Sequence, residues 1–188
     1  MIKKIAKKAW YYLWEDEGII GWIVTVIVSF IFVKFILLPG LGLLLGTPFP
    51  IVAVVSSSME HNGIPLDEWE EKKQSEYNKY NLSTKNFLQY PFKNGFNKGD
   101  VIVLKRANNL KIGDVIVFQG KAAYPIIHRV VMTQQEMYTT KGDNNPASRP
   151  DETGIAKERI YGKAWLRVPY LGWFKIIFVT LLSLVGFA

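Results

Sequence analysis

Two long apolar segments flank a region in which short apolar runs alternate with polar ones. The first, residues 19–46, contains one charged residue, Lys34, and exceeds the roughly 20 residues that a bilayer-crossing helix needs. It predicts a transmembrane helix that breaks near Pro39 and Gly40, because proline removes a backbone donor. We expect the Lys34 side chain to extend to the far membrane interface. The second segment, residues 171–188, predicts a return span or a membrane-associated tail.

Six short runs between these segments predict the strands of a mostly antiparallel sheet, because they are rich in β-branched residues and bounded by turn formers. They are PIVAVVS (50–56), DVIVLK (100–105), DVIVFQG (114–120), YPIIHRVVM (124–132), EMYTTKG (136–142) and RIYGKAWLRV (159–168). Gly-Asp-Val-Ile-Val occurs twice, fourteen residues apart, with a turn-bearing connection between the copies. The repeat predicts a hairpin, in which Asp100 and Asp114 are turn residues.

Residues 60–98 are polar and lack the alternation of the predicted strands. They predict an insertion, partly helical around LDEWEEKKQSEYNKY, that lies over the sheet or meets a partner. Its Asn81-Leu-Ser sequence is a glycosylation sequon, which is compatible with an exported domain. The fold class we expect is mainly β: an antiparallel domain over residues 47–170 with an N-terminal transmembrane helix and a C-terminal membrane segment at 171–188.

The charge distribution predicts how the chain is oriented in the membrane. Four lysines lie within residues 1–18, directly before the first span, and such clusters favour the cytoplasmic side. The net charge of +7 suits an anionic lipid surface, whereas the lysines are spread along the chain without a nucleic-acid-binding motif. We therefore expect a lipid bilayer as a partner, and no nucleic acid.

Residue usage excludes several kinds of chemistry. The chain has no cysteine, so disulfides, thiol nucleophiles and Cys-ligated zinc are excluded together. Two histidines are too few for a histidine-based metal cluster. We expect neither a metal nor a cofactor.

Three consecutive serines, residues 56–58, follow the first predicted strand and do not obviously cap a helix. A serine nucleophile needs a base within hydrogen-bond reach and a group that orients this base. His128 is the better candidate, because it lies in a strand-like run, whereas His61 lies in a glycine-flanked segment. Asp143 and Asp151 follow His128 and offer carboxylates to an imidazole. From these residues alone, a structural histidine and two turn aspartates remain alternatives.

Four motifs occur in a fixed order behind the membrane anchor, and they carry a resemblance to a known family. They are SSSME, GDVIV, IIHRVV and KGDNN followed by an acid. In this order they resemble the type I signal peptidase family, and in particular its archaeal and endoplasmic-reticulum branch, where histidine replaces the lysine of the bacterial enzymes. The match covers roughly residues 51–58 and 96–170.

This resemblance implies both a function and a set of site residues. It implies that Ser58 is the nucleophile, that His128 is the general base, and that the Ser58 N–H and the Ser56 hydroxyl bind the oxyanion. The implied function is a membrane-bound serine endopeptidase that removes signal peptides from exported precursor proteins. It would lie in an archaeal-type cell membrane or in the endoplasmic reticulum membrane, with translocation-complex subunits as possible further partners.

The acid and the segment after the nucleophile depart from the family pattern. The orienting aspartate usually follows the Gly-Asp-Asn aspartate by about six positions, where this chain has Arg149. A loop two residues longer would make Asp151 the orienting acid and Asp143 a supporting carboxylate. Family members also commonly have a proline two residues after the methionine, where this chain has His61, and about thirty extra residues follow it.

Three other interpretations compete with this one. A self-cleaving, repressor-like peptidase would be expected to be soluble, with a DNA-binding domain. A membrane-anchored binding module or inactive scaffold subunit would use residues 60–98 as its working surface. A Ser-Lys dyad would need Lys105 or Lys121 as a buried base with a depressed pKa, which neither local sequence suggests.

Overall fold

The structure is a computed structural model that describes residues 2–121 and 124–184 of the 188-residue chain. The chain divides into two compact units, residues 1–44 and residues 45–188.

The first unit consists of helices. Helix α1 (Ile2–Trp14) is followed by α2 (Ile19–Phe32), a π-helical segment (Val33–Leu37) and α3 (Leu38–Leu45). From Ile19 to Leu45 these form one helix of 27 residues, with a mean hydropathy of 2.5 and little buried surface. By length and composition, this helix is suited to cross a membrane.

The expected break at Pro39 and Gly40 is wrong, because the helix continues through both residues. The adjustment lies just before the proline, where the N–H of Leu38 donates to the carbonyl of Val33 across a widened π turn. A π turn lets a helix continue where the proline ring would otherwise clash with the preceding carbonyls.

The second unit is built on one antiparallel sheet of six strands, as predicted. They are β1 (Ile51–Ala53), β2 (Val101–Lys105), β3 (Val115–Gln119), β4 (Pro125–Gln134), β5 (Met137–Lys141) and β6 (Ile160–Val168). Each predicted run overlaps one of them, and only β4 extends beyond its run, to Gln134. The spatial order is β1-β2-β6-β3-β4-β5. A cluster of buried side chains that includes Val54, Met59, Phe96 and Ile102 forms one part of the core.

The hairpin expected between the two Gly-Asp repeats is wrong, because β6 lies between β2 and β3 and pairs with both. The aspartates of the two repeats make equivalent contacts. Asp100 accepts the N–H of Asn97 and forms an ion pair with Arg167 of β6 at 2.6 Å. Asp114 accepts the N–H of Lys111 and pairs with Lys163 of β6 at 2.9 Å. Each aspartate therefore closes its own turn, as predicted, and also binds a cation of the shared neighbouring strand.

Residues 60–98 fold over the sheet. Helix α4 (Leu66–Asn78) and a 3₁₀ segment (Thr84–Gln89) bury Trp69, Tyr77 and Phe87 against Val131 of β4. The segment also returns to its starting point, because Glu60 and Gly95 form an antiparallel bridge. It is thus a closed insertion.

Helix α5 (Trp173–Leu184) ends the described chain. Its 12 residues extend about 18 Å at 1.5 Å per residue, against about 30 Å for a hydrocarbon core. Residues 185–188, the end of the expected C-terminal membrane segment, lie outside the described residues.

Candidate active site

The structure brings together the serine and the histidine that the sequence singled out, although they are 70 positions apart. Ser58 lies in the turn after β1, and its Oγ is 3.0 Å from Nε2 of His128. His128 is only 3% exposed and is fixed in β4 opposite Ile116 of β3. Strand β4 pairs with β3 on one side and with β5 on the other. A rigid backbone therefore holds the imidazole beside the Ser58 hydroxyl.

The other nitrogen of the imidazole faces a carboxylate that the sequence analysis did not select. Nδ1 of His128 lies 3.1 Å from Oε1 of Glu152, whose side chain is completely buried. The distance is that of an ion pair, but the N–H is not aligned with the oxygen as in a straight hydrogen bond. This contact favours the tautomer with its proton on Nδ1, which leaves Nε2 free to accept the proton of Ser58.

Glu152 is held in place by Arg149. The Arg149 Nε donates to Oε1 at 2.8 Å, and the backbone N–H of Arg149 donates to Oε2 at 3.2 Å. Burial alone would raise the pKa of Glu152, but the contacts with His128 and Arg149 outweigh it and leave the pKa below its usual value. Glu152 is therefore a carboxylate at neutral pH.

Asp151, which the sequence analysis assigned as the orienting acid, makes its contacts away from His128. Its Oδ2 accepts the backbone N–H of Lys121 at 3.1 Å, and its Oδ1 lies 3.6 Å from Arg149. Asp151 and Glu152 are neighbours in a short 3₁₀ turn (Pro150–Glu152), so their side chains leave the backbone in different directions. Glu152 lies one position beyond the acid that the resemblance suggested, and nothing in the sequence favours one of these two neighbouring acids over the other.

Asp143 is also not in contact with His128 but belongs to a neighbouring buried network. Its two carboxylate oxygens accept Nε and a terminal nitrogen of Arg129, at 2.9 and 2.7 Å. Nε2 of His61 lies 3.1 Å from Oδ2, and the hydroxyl of Tyr77 donates to Oδ1 at 3.4 Å. Burial would raise the pKa of Asp143, but the charge of Arg129 and the bond with His61 lower it well below its usual range.

The backbone around Asp143 touches both members of the Ser58–His128 pair. The N–H of Asn144 donates to the carbonyl of Ser58 at 2.8 Å, and its side-chain amide donates to the carbonyl of Ser57 at 3.2 Å. At Gly142 a Cβ atom would lie 2.7 Å from the Ser58 carbonyl oxygen and 2.8 Å from His128 Nε2. Only glycine fits this close approach without displacing them.

Ser56 lies beside the candidate nucleophile, with its Oγ 3.2 Å from that of Ser58. The two lysines considered as alternative bases lie elsewhere. The Nζ of Lys105 is 6.0 Å from the ring of Trp165, and the side chain of Lys121 is exposed. Both lysines are exposed, whereas His128 is buried beside Ser58.

The chain is similar to signal peptidase complex catalytic subunits. A signal peptidase complex catalytic subunit SEC11 from Debaryomyces hansenii is 32% identical over 114 residues, which cover 48% of this chain and 66% of that protein. SEC11C from Homo sapiens is 27% identical over 157 residues, which cover 73% of this chain and 62% of that protein. The homologues of this chain are SEC11 catalytic subunits. This confirms the resemblance to type I signal peptidases that the motifs carried.

The chain spans less than two thirds of these relatives' own lengths, at 66%, 57% and 62% for the subunits from D. hansenii, Candida tropicalis and human. No protein-family model matches the chain. The six-stranded antiparallel sheet and the N-terminal apolar helix fit a signal-peptidase-like fold.

Proposed function

We propose that this protein is a membrane-bound serine endopeptidase that removes signal peptides from exported precursor proteins. The observation that carries the proposal is the 3.0 Å contact between Ser58 Oγ and Nε2 of the buried His128. The similarity to SEC11 catalytic subunits supplies the substrate class. This reaction needs neither a metal ion nor a cofactor, because acyl transfer requires only a nucleophile, a base and oxyanion donors.

The first half of the reaction forms an acyl-enzyme. Nε2 of His128 takes the proton of Ser58 while Oγ attacks the carbonyl carbon at the cleavage site. The tetrahedral intermediate then collapses, the C–N bond breaks, and the protonated imidazole gives its proton to the leaving amine. In the second half, water loses a proton to Nε2 and attacks the ester, which releases the signal peptide and regenerates the Ser58 hydroxyl.

Two donors near Ser58 would stabilise the oxyanion. We assign these roles to the backbone N–H of Ser58 and to the Ser56 hydroxyl, whose Oγ lies 3.2 Å from that of Ser58. One such donor typically contributes about 3 kcal/mol to transition-state stabilisation. Glu152 takes the role first assigned to Asp151, because its carboxylate lies at Nδ1 and stabilises the imidazolium that forms. Asp143 keeps a supporting role through the loop that it anchors.

The membrane helix would bring this site to its substrate. A signal peptide has an apolar segment of its own in the bilayer, so an anchored enzyme meets it at high effective concentration in two dimensions. We place the N-terminus in the cytoplasm and the catalytic domain on the exported side, in an archaeal-type cell membrane or the endoplasmic reticulum membrane. Subunits of a signal peptidase or translocation complex are the expected further partners.

The test is cleavage of a signal-peptide-bearing precursor in liposomes by wild-type protein and by the Ser58→Ala, His128→Ala and His128→Lys variants. We expect loss of cleavage in the first two variants and no recovery with lysine. Retained cleavage in His128→Ala would exclude the imidazole as the base. A mechanism-based acylating probe that labels wild type but not Ser58→Ala would distinguish an enzyme from an inactive scaffold.

A further inference from the structure

The insertion at residues 60–98 contacts the loop at residues 142–152 at two separate points. At the first, His61 Nε2 lies 3.1 Å from Oδ2 of Asp143. At the second, the hydroxyl of Tyr80 lies 2.6 Å from Oγ of Ser148. This loop also carries the groups that touch Ser58 and His128, so the insertion and the candidate active site share one structural element.

The first contact is rigid. The His61 ring is 5% exposed and stacks on Trp69, with the ring centroids 3.9 Å apart and the planes 3° from parallel. Trp69 is itself buried and packs against Tyr77, whose hydroxyl donates to the same aspartate. The imidazole therefore cannot leave Asp143 without disturbing the core of the insertion.

The second contact has a defined direction. The Ser148 hydroxyl donates to the carbonyl of Thr140 at 2.6 Å, so its proton is already used. Tyr80 must then donate to the Ser148 oxygen, and the Tyr80 oxygen in turn accepts the backbone N–H of Ser148 at 3.1 Å. Tyr80 thus fixes both the side chain and the backbone of the loop.

The loop passes these restraints to the candidate active site. Between the two contact points, the N–H of Asn144 holds the Ser58 carbonyl. Gly142 lies directly against the imidazole of His128, and Glu152 at the far end faces Nδ1. A loop that moved by about 1 Å would disturb both the nucleophile and the base, and displacements of that size can cost about 10²-fold in rate.

Both the insertion and the loop also contact Met59, the residue that follows Ser58. The N–H of Phe96 donates to the carbonyl of Met59 at 2.9 Å, and the N–H of Asp143 donates to the sulfur of the same Met59 at 3.4 Å. The insertion, the residue after Ser58 and the loop therefore form one closed set of contacts.

We propose that the insertion is a brace for the active-site loop, and that His61 and Tyr80 are positioning residues for the Ser58–His128 pair. The catalytic consequence rests on the function proposed above. The brace itself is a structural claim that does not depend on it. Neither residue touches the reacting atoms, so each acts through the loop at residues 142–152.

The kinetic test uses the full-length protein in liposomes with a signal-peptide-bearing precursor. His61→Phe keeps a ring on Trp69 but loses the bond to Asp143, whereas His61→Gln keeps a donor. We expect kcat to fall about 10- to 100-fold in His61→Phe, with KM within about threefold, and to recover partly in His61→Gln. Tyr80→Phe should lower kcat as well, while Lys72→Ala, on the exposed face of α4, should match wild type. Unchanged kcat in both His61→Phe and Tyr80→Phe would overturn the catalytic part.

Amide hydrogen exchange tests the brace without any enzymatic assay. In wild type, the N–H groups of Asn144 and Ser148 are bonded and should be protected. His61→Phe and Tyr80→Phe should increase exchange across residues 142–148 while β3 stays protected, which shows that the domain is still folded. Exchange identical to wild type in both variants would overturn the brace, whether or not the wild-type protein cleaves a precursor.

Discussion

At the scale of single residues, the adjacent carboxylates Asp151 and Glu152 have different surroundings. Glu152 is buried at Nδ1 of His128, while Asp151 accepts a backbone N–H at the edge of the loop. Their side chains are of similar size and charge, so each serves as the matched control for the other.

We predict that Glu152→Gln lowers kcat strongly and that Asp151→Asn does not. Glutamine removes the charge that stabilises the imidazolium, and the loss should amount to about 10-fold or more of the roughly 10²–10⁴ that general-base catalysis provides. Asp151→Asn should stay within about threefold of wild type, since exposed polar contacts contribute little. Precursor cleavage under single-turnover conditions measures both. The reverse ranking would restore Asp151 as the orienting acid.

We predict that Gly142→Ala inactivates the protein. The added methyl group would lie under 3.0 Å from both the Ser58 carbonyl oxygen and His128 Nε2, so that the serine and the histidine must separate. Gly40→Ala is the control, because a Cβ there meets nothing within 4 Å. Labelling of Ser58 by an acylating probe gives the readout. Wild-type labelling in Gly142→Ala would mean that the loop yields without moving the pair.

The buried Asp143 gives a prediction about stability and pH. Its pKa is lowered in the folded state, so the charged form stabilises the fold above the usual aspartate pKa of about 4, and this contribution is lost as the pH falls below it. Asp143→Asn leaves Arg129 without its charge partner, which typically costs about 3–5 kcal/mol. We expect the variant to melt below wild type at about pH 7 and the difference to shrink at about pH 3. A difference that is independent of pH would contradict this.

Single residues also show what sequence could and could not predict. The contact between Ser58 and His128 was predictable only through the family resemblance, because the residues by themselves left a structural histidine as an alternative. Glu152 was not, because the direction of a side chain in a 3₁₀ turn depends on backbone geometry that the neighbouring residues do not specify. His61 was set aside as a base, and its contact with Asp143 could not be foreseen without the packing of Trp69.

At the scale of secondary-structure elements, β1 is the place where an extended substrate could add to the sheet. Among the described strands it pairs only with β2. The Pro50 carbonyl and both backbone groups of Val54 bond toward the β2 side. Backbone groups alternate along a strand, so those of Ala53 point to the open side, away from β2.

We predict that Ala53→Pro raises KM for the precursor, because it removes an outward N–H that a substrate strand would use. Val52→Pro is the matched change on the other side, where it removes a ladder bond to β2 and should lower the melting temperature more. Steady-state kinetics and thermal melting in the same detergent separate the two effects. An unchanged KM in a folded Ala53→Pro protein would mean that the substrate does not bind as a strand at β1.

The six strands could be predicted from local residue composition, but their order in the sheet could not. All six strands were predictable from β-branched runs, since that signal is local. The position of β6 between β2 and β3 was not, because its ion pairs with Asp100 and Asp114 join residues more than 45 positions apart in the chain. Likewise, the helix continues through Pro39 because the π turn before it accommodates the proline ring. No local sequence signal distinguishes such a π turn from a helix break.

At the scale of the whole molecule, the lysines before the apolar helix predict on which side of a membrane the β-domain lies. Four lysines precede the helix within residues 1–18, against three acidic residues in the same segment. Orientation follows the basic residues near the membrane and depends little on acidic ones. Residues 47–170 should therefore lie on the exported side of the bilayer.

The sequon at Asn81 makes this orientation testable with the unmodified chain. Asn81 is exposed in a turn with a positive φ of 55°, so its amide is accessible. In endoplasmic reticulum microsomes, we predict a glycosidase-sensitive increase in mass for the wild type and none for Asn81→Gln. A second sequon added before Lys3 to the Asn81→Gln chain should stay unmodified, because the N-terminus would face the cytoplasm. Glycosylation of that N-terminal site, together with no glycosylation of Asn81 in the wild type, would mean the opposite orientation. The Ser58–His128 pair would then lie on the side where no signal peptide is cut.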